Sequence, residues 1–389
     1  MFYLDIACLL ISCLFIVFVK CMDKNPAPKF GIYERKDGRY FLKVIFLYVT
    51  LTIVGFKRRL SNLRKKFRRL EKTQPLLSSQ KTIDVISLEG SNKYGDTLIL
   101  KITRSYSKQT GYIFLKIGDT KLKASISLDP CIDKNEDHGE TFSPDGFKLS
   151  LIEALKAWRV TYRGEMAEFD NNISNTHTVE VQGIWVTDLS VFDFEDADAL
   201  NFAKCLAYEK WNIDHFLNLK RSRTTYYEQF GTLIVKVKID GQVHKLKIDA
   251  IKSRHMGHNN ASYIWKGCVH RFITDEGDCF SLRHTCNPII TSRMVEGFVY
   301  SSKENKTHPI QNSSLQLYKY GGIKDPPQNY GFTIRAGNTD YQIQVKVTDT
   351  SQVSTEENGN ITTYLQTNTV EVNGINSWGI SKWLYQNIE

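Results

Sequence analysis

A chain of 389 residues, 41% hydrophobic and 24% charged, is long enough for two domains or one large all-β domain. Its formal net charge of +9 is unevenly spread: residues 1–72 carry 16 Lys and Arg against 5 Asp and Glu, while the other 317 carry 35 against 37. The near-neutral body argues against a nucleic-acid partner, and the basic N-terminal part points to a membrane surface.

Residues 2–19 (FYLDIACLLISCLFIVFV) are apolar except for Asp5, and about 18–20 such residues span a bilayer as a helix. No basic leader and no small-x-small cleavage pattern accompany them, so they read as a retained transmembrane anchor within 1–21 rather than a cleaved signal. A second apolar stretch, residues 40–56, carries Lys43 and reads as a second span, a re-entrant piece or an interfacial helix. Residues 57–72 (KRRLSNLRKKFRRLEK) bring Leu60, Leu63, Phe67 and Leu70 to helical spacing with basic residues around the remainder. This is the pattern of a basic amphipathic helix lying on a membrane. The bilayer is therefore an expected partner, through residues 2–19 and 57–72. The positive-inside rule sets the body on the cytoplasmic side of an endomembrane such as the endoplasmic reticulum.

Residues 73–80 form a linker, after which the chain turns β-rich. Short strands are predicted at 97–104, 112–117, 122–128, 148–152, 158–162 and 179–186. Residues 196–211 (DADALNFAKCLAYEKW) are the one predicted helix of the body, with Leu200, Ala203, Leu206 and Ala207 on its apolar face and Asp196 or Asp198 as its cap. Next comes a hairpin. Leu233, Val235, Val237 and Ile239 alternate with Ile234, Lys236, Lys238 and Asp240, and Asp240-Gly241 is a two-residue turn signal. Further strands are expected at 262–273, 279–286, 297–301, 315–320, 329–336, 341–348, 362–372 and 380–385. So many short strands imply a mainly β fold of barrels or a sandwich, with halves at 81–240 and 241–389. The wide spacing of Cys131, Cys205, Cys268, Cys279 and Cys286 does not match a secreted disulfide framework.

Catalytic signatures are scarce. The chain holds no GxxxxGK[ST], HExxH, GxSxG or CxxC, and no cofactor is expected. Three constellations remain. Cys268-x-His270 and His284-x-Cys286 would form one patch of four soft ligands suited to zinc if Asp275 pairs with Cys279, and a register slip of one would abolish it. The alternative is unrelated sheet residues with reduced buried thiols. Arg254-His255, with Asp249 and His258 nearby, reads equally as a ligand-facing polar cluster or as a strand-end loop, and an Arg beside the His opposes its protonation. Tyr226-Tyr227-Glu228-Gln229 brings a carboxylate and phenols together, either at a cavity mouth or as an aromatic lead into the hairpin. The acid–base candidates are thus Glu228, Asp249, Arg254 and His255. The ligand-binding candidates are Tyr226, Tyr227, Arg254 and His255.

The stretches 142–164 (FSPDGFKLSLIEALKAWRVTYRG), 184–211, 226–241 (YYEQFGTLIVKVKIDG), 251–257 (IKSRHMG) and 372–385 (VNGINSWGISKWLY) resemble the N-terminal region of invertebrate proteins labelled phosphoenolpyruvate synthase-like. The resemblance covers most of residues 90–389. In that family the annotated activity belongs to a later ATP-grasp domain and a domain with a phosphorylated His, so no catalytic residue carries over. The resemblance implies a lipocalin-like double barrel similar to carotenoid hydratases, in which an Arg-Asp-His/Arg run precedes a small-aromatic-Gly turn. Here that run is Lys252-Ser253-Arg254-His255, and Ser253 in place of the Asp weakens the implied acid–base role. The expectation is a membrane-anchored, non-catalytic module that binds an apolar small molecule or lipid within a barrel. A lipocalin-like hydratase or isomerase, or an accessory to a phosphoenolpyruvate synthase-like phosphotransferase, are the alternatives.

Overall fold

The computed structural model describes residues 26–59, 70–74, 76, 82–106, 108–128, 141–169, 175–221, 224–258, 264–320, 324–353 and 361–387. The expected anchor in 1–21 and most of the basic stretch 57–72 lie outside them.

The first barrel is built from β1 (Thr82–Ser91), β2 (Thr97–Ser105), β3 (Gln109–Ile117), β4 (Thr120–Leu128), β7 (Ala157–Glu168), β8 (Thr176–Val186), β10 (Thr224–Ile239) and β11 (Gln242–His258). They run in the order β4-β3-β2-β1-β11-β10-β8-β7, and β4 closes the ring on β7 at Leu122↔Glu168 and Lys123↔Ala167. The rest of that β7 edge pairs with β6 (Phe147–Glu153), which carries β5 (Thr141–Phe142), while β9 (Phe192–Asp193) pairs with β10. The second barrel is a closed meander of β12 (Lys266–Thr274), β13 (Cys279–Asn287), β14 (Thr291–Ser301), β15 (Lys306–Ser313), β16 (Asn329–Ala336), β17 (Thr339–Val353), β18 (Ile361–Val372) and β19 (Ile375–Gln386). The mainly β, double-barrel architecture is the one expected.

The expected division at 240 falls at the tip of the β10–β11 hairpin. Its arms are hydrogen-bonded from Thr224↔Gly257 to Ile239↔Gln242, so both belong to the first barrel, and the sheets divide after His258. The turn is as predicted, with Asp240 at φ 46° and Gly241 at φ 92°, the left-handed pair that a tight hairpin needs. Strand β1 carries no period-2 signal because eight consecutive residues, Asp84 to Ser91, are buried. One of its faces meets the first core and the other meets the second barrel. Residues 315–320, expected as a strand, hold instead a 3-10 turn at Leu317–Lys319.

The helix expected over 196–211 is shorter. A 3-10 turn at Phe194–Asp196 precedes α2 (Ala199–Leu206), and a further helix, α3 (Ile213–Arg221), follows. Asp198 is the cap, accepting from the Asn201 amide at 2.7 Å. Its buried face holds Ala203, Cys205 and Leu206, whereas Leu200 is exposed. Helix α1 (Tyr40–Arg59) packs Tyr40, Val44 and Leu47 against Ala203, Leu206, Ala207 and Trp211. Lys43 is buried in that contact because Asp37, 2.7 Å away, and the Glu209 carbonyl, 2.9 Å away, take its charge. Among the described residues no helix, α1 included, is long and apolar enough to cross a membrane. The second-span reading of 40–56 therefore gives way to a helix packed on α2 and α3, with Phe41, Leu42, Ile45, Tyr48, Val49 and Ile53 exposed.

Side chains fill both barrels. Phe142, Phe147, Trp158 and Trp185 pack among Leu, Ile and Val in the first, and Phe272, Phe280, Phe332 and Trp383 do so in the second. Two N-terminal segments complete these interiors: Tyr33 joins the second core, and Glu71 enters the first.

Within the first barrel the β1–β11 ladder leaves no room for a side chain at one point. A Cβ on Gly90 would overlap the Asp249 carbonyl oxygen across the β1–β11 ladder. Gly90→Ala is expected to cost about 1–3 kcal/mol, read as a lower denaturation midpoint at unchanged slope.

Candidate functional site

The β10–β11 hairpin carries most of the predicted site residues, and strand periodicity sends them two ways. The register Tyr226↔His255, Tyr227↔Arg254, Glu228↔Ser253 and Gln229↔Lys252 is fixed over the whole ladder. Tyr227, Arg254 and Lys252 face into the first barrel, while Tyr226, Glu228 and His255 face the second barrel. Asp249 shares the outer face but lies six residues from His255, about 20 Å along the strand. Glu228, Asp249, Arg254 and His255 therefore do not converge, and the acid–base constellation expected of them is corrected.

Inside the first barrel the two basic residues meet carboxylates. Lys252 Nζ lies 2.7 Å from both oxygens of Glu71, and neither side chain is exposed. Tyr227 donates its hydroxyl to Glu71 at 2.6 Å, and the Trp158 indole donates at 2.8 Å. Burial pushes the Glu71 carboxyl up, but Lys252 and these hydrogen bonds outweigh it and hold its pKa below the usual value. Arg254 donates to the carbonyls of Leu70, Lys72 and Val85 and pairs with Asp84 at 2.8 Å. Tyr227 and Arg254, expected as ligand contacts, are thus occupied by the chain's own segment 70–74.

Between the barrels lies a second ionic network. Arg271 of β12 reaches Glu228 of β10 at 2.5 Å and also Glu89 of β1, which Lys382 of β19 meets at 2.7 Å. Ser281 donates to Glu228 at 2.5 Å, and Tyr226 donates to the same carboxylate. Burial raises the Glu89 carboxyl, but Lys382 and Arg271 reverse this and bring it down to about 2. Burial first, then Arg283 and Lys101, and only last the neighbouring Arg254 on the opposite face, push His255 down to about 4, so it stays neutral. Tyr226, Glu228 and His255 are interface residues in which every charge is answered.

Of the metal candidates, Cys268, His270 and His284 come together in the second barrel. Cys268 pairs directly with His284, and His270 with Leu282. The register is shifted by two from the one expected, which preserves the common face. The ligating atoms of these three residues lie within 4.8 Å of one another. Cys286 is opposite Lys266 and stands outside the group, so the four-ligand set is corrected to three. Burial pushes His270 down to about 3 and His284 to about 4, the neutral form that binds metals.

Asp249 faces a cleft of about 610 Å³ between the barrels. Leu189, Phe230, Ile273, Cys279 and Tyr300 supply much of its apolar wall. The Trp378 indole donates to Asp249 at 3.1 Å, and burial raises the carboxyl's pKa despite that bond and Lys247. A half-buried carboxyl with a raised pKa in an apolar cleft can donate or accept a proton. Sequence reasoning missed Glu71, Glu89, Arg271 and Lys382, whose partners are distant in the chain. The one available signal was an acid, Glu71, closing an otherwise basic run.

The chain belongs to the family of unknown function DUF8627, whose model matches residues 6–385. No curated protein matches it in sequence. Among solved structures it is similar to an assigned AttH protein of Nitrosomonas europaea, at 8% identity and a TM-score of 0.54, over 80% of this chain and 94% of that one. It also matches kievitone hydratase of Nectria haematococca at 10% identity and a TM-score of 0.46, over 82% and 92% of the two chains. For CghA the values are 8% and 0.47, over 79% and 89%. The first likeness bears on the fold alone and agrees with a lipocalin-like double barrel.

Lys252→Met strands the Glu71 carboxylate and is expected to destabilise the protein by about 3–5 kcal/mol, whereas adding Glu71→Leu recovers most of that loss. Chemical denaturation of the single and double variants checks the sign. Glu89 has a folded pKa below its unfolded one, so its contribution is complete above the ordinary carboxylate value of 4.5 and is lost as pH falls toward about 2. Acid titration followed by near-ultraviolet circular dichroism should show stability falling through that window.

Proposed function

We propose that this member of DUF8627 is a non-catalytic binding module that takes a small, largely apolar molecule into the inter-barrel cleft, with Asp249 as its polar anchor. The observation that carries the reading is a cleft of about 610 Å³ with an apolar wall and the Asp249 carboxyl in its lining. That volume lies within the range of about 300–1,000 Å³ typical of small-molecule sites, which combine apolar walls with few polar groups. When protonated, Asp249 can donate to a carbonyl or hydroxyl of the ligand. We further propose that the module works at a lipid surface. Residues 2–19 are apolar enough for an anchor, residues 57–72 are basic, and the outer face of α1 is apolar at Phe41, Ile45, Tyr48 and Val49.

A second reading, a hydratase or isomerase acting on an apolar substrate, is favoured by one observation. Asp249 is a carboxyl of raised pKa facing a cleft, as a general acid requires. That reading now turns on Asp249 and not on Glu228, Arg254 or His255.

Uptake of the neutral probe N-phenyl-1-naphthylamine, followed by fluorescence, tests the cleft. Thr232→Trp at its wall is expected to abolish uptake. If a probe or extracted lipid hydrogen-bonds to Asp249, Asp249→Ala weakens binding about tenfold, the equivalent of one hydrogen bond, and native affinity falls as pH rises through the Asp249 pKa. Uptake indifferent to Thr232→Trp overturns the cleft as the site. For the surface, flotation with anionic vesicles should drop when Phe41 and Ile45 are both changed to Glu.

A further inference from the structure

The core of the second barrel contains an expense that packing does not explain. His270 and His284 are 1% and 2% exposed, and the Nδ1 atom of each has no hydrogen-bond partner among the described residues. Their other nitrogens are fixed: His270 Nε2 lies 2.7 Å from the Tyr330 hydroxyl, and His284 Nε2 lies 2.8 Å from Ser313 Oγ. Such bonds on the far nitrogen are how imidazole ligands are oriented and their tautomer set. Cys268 is fully buried and faces His284 directly across the β12–β13 ladder. With ligating atoms within 4.8 Å, the three residues need to draw in by only about 1 Å to reach metal-ligand separations.

We propose that Cys268, His270 and His284 form a trigonal site for a monovalent, thiophilic d10 ion, Cu(I), inside the second barrel. Three considerations select that ion. A thiolate with two imidazoles is a soft donor set. The surroundings are Phe332, Trp383 and Tyr330, with centroids 5.2–6.1 Å from the His270 ring, and they offer no fourth ligand of the kind zinc takes in structural sites. Charge decides the rest. Cu(I) with one thiolate is neutral, whereas Zn(II) with one thiolate leaves a net positive charge where water is excluded. On binding, the Cys268 thiol gives its proton to solvent and the imidazoles, already neutral, give none. The site stands apart from the inter-barrel cleft and does not rest on the ligand reading given for it.

The test is an anaerobic titration of the full chain with chelator-buffered Cu(I). One equivalent is expected to be retained, with Cys286→Ser, on the same face but outside the triad, unchanged. Cys268→Ser should weaken retention by more than about a hundredfold, beyond the roughly 10–100-fold that loss of an outer-shell contact costs. X-ray absorption on the wild type should show one sulfur and two nitrogen neighbours, a readout that stands if Cys268→Ser fails to fold. No retained copper, preferential retention of Zn(II), or a sulfur-free copper environment would each overturn the proposal.

Discussion

Glu71 and Lys252 are both shut off from water, 2.7 Å apart, within a barrel whose core is Trp, Phe, Leu, Ile and Val and which holds one further buried ion pair, Arg254 with Asp84. Neither could remain charged there alone, because desolvation of a lone ion costs several kcal/mol. Their mutual presence, with Tyr227 and Trp158 filling the remaining acceptor positions on the carboxylate, is therefore a condition for closing that end of the barrel. Arg254 extends the same logic to the backbone, holding carbonyls of residues 70 and 72. The segment just before β1 is built into the first barrel chiefly by charge, with Leu70 packed against Tyr227 and Met256.

The same hairpin then serves the opposite side. Because side chains alternate along β10 and β11, each residue that anchors segment 70–74 is followed by one that meets the second barrel, where Glu228 and Glu89 share Arg271. Apolar clusters flank this charged seam, with Ile99 and Phe114 against Leu365 and Ile380 on one side and Phe230 and Ile251 against Phe298 on the other. The seam fixes how the barrels meet, and the cleft at Asp249 is the space their junction leaves.

What could be read from the sequence follows from where the signal is local. The hairpin from Leu233 to Ile248 alternates because one face meets solvent, and it was legible down to the Asp240-Gly241 turn. β1 was not, since both its faces are buried and the alternation vanishes. The face shared by Cys268, His270 and His284 was legible from spacing, because it survives any even shift of register, while the exclusion of Cys286 depended on the shift itself. The separation of Arg254 from His255 follows from strand geometry alone. The occupation of Arg254 and Lys252 by residues 70–72 does not, because those partners lie more than 180 positions away.

That distance bears on how the chain is made. Segments 29–34 and 70–74 are made before the strands they join: Glu71 meets its buried partner only once residue 252 is available, and Tyr33 joins a core whose closing strand, β19, ends at Gln386. Non-local closures of this kind are slow because the loop entropy must be met before the contacts repay it. These two segments thus reach their places only after strands made much later are in hand. During elongation the half-made barrels carry open mouths and a glutamate still without its lysine, and a nascent chain in that state is where chaperones have most to hold.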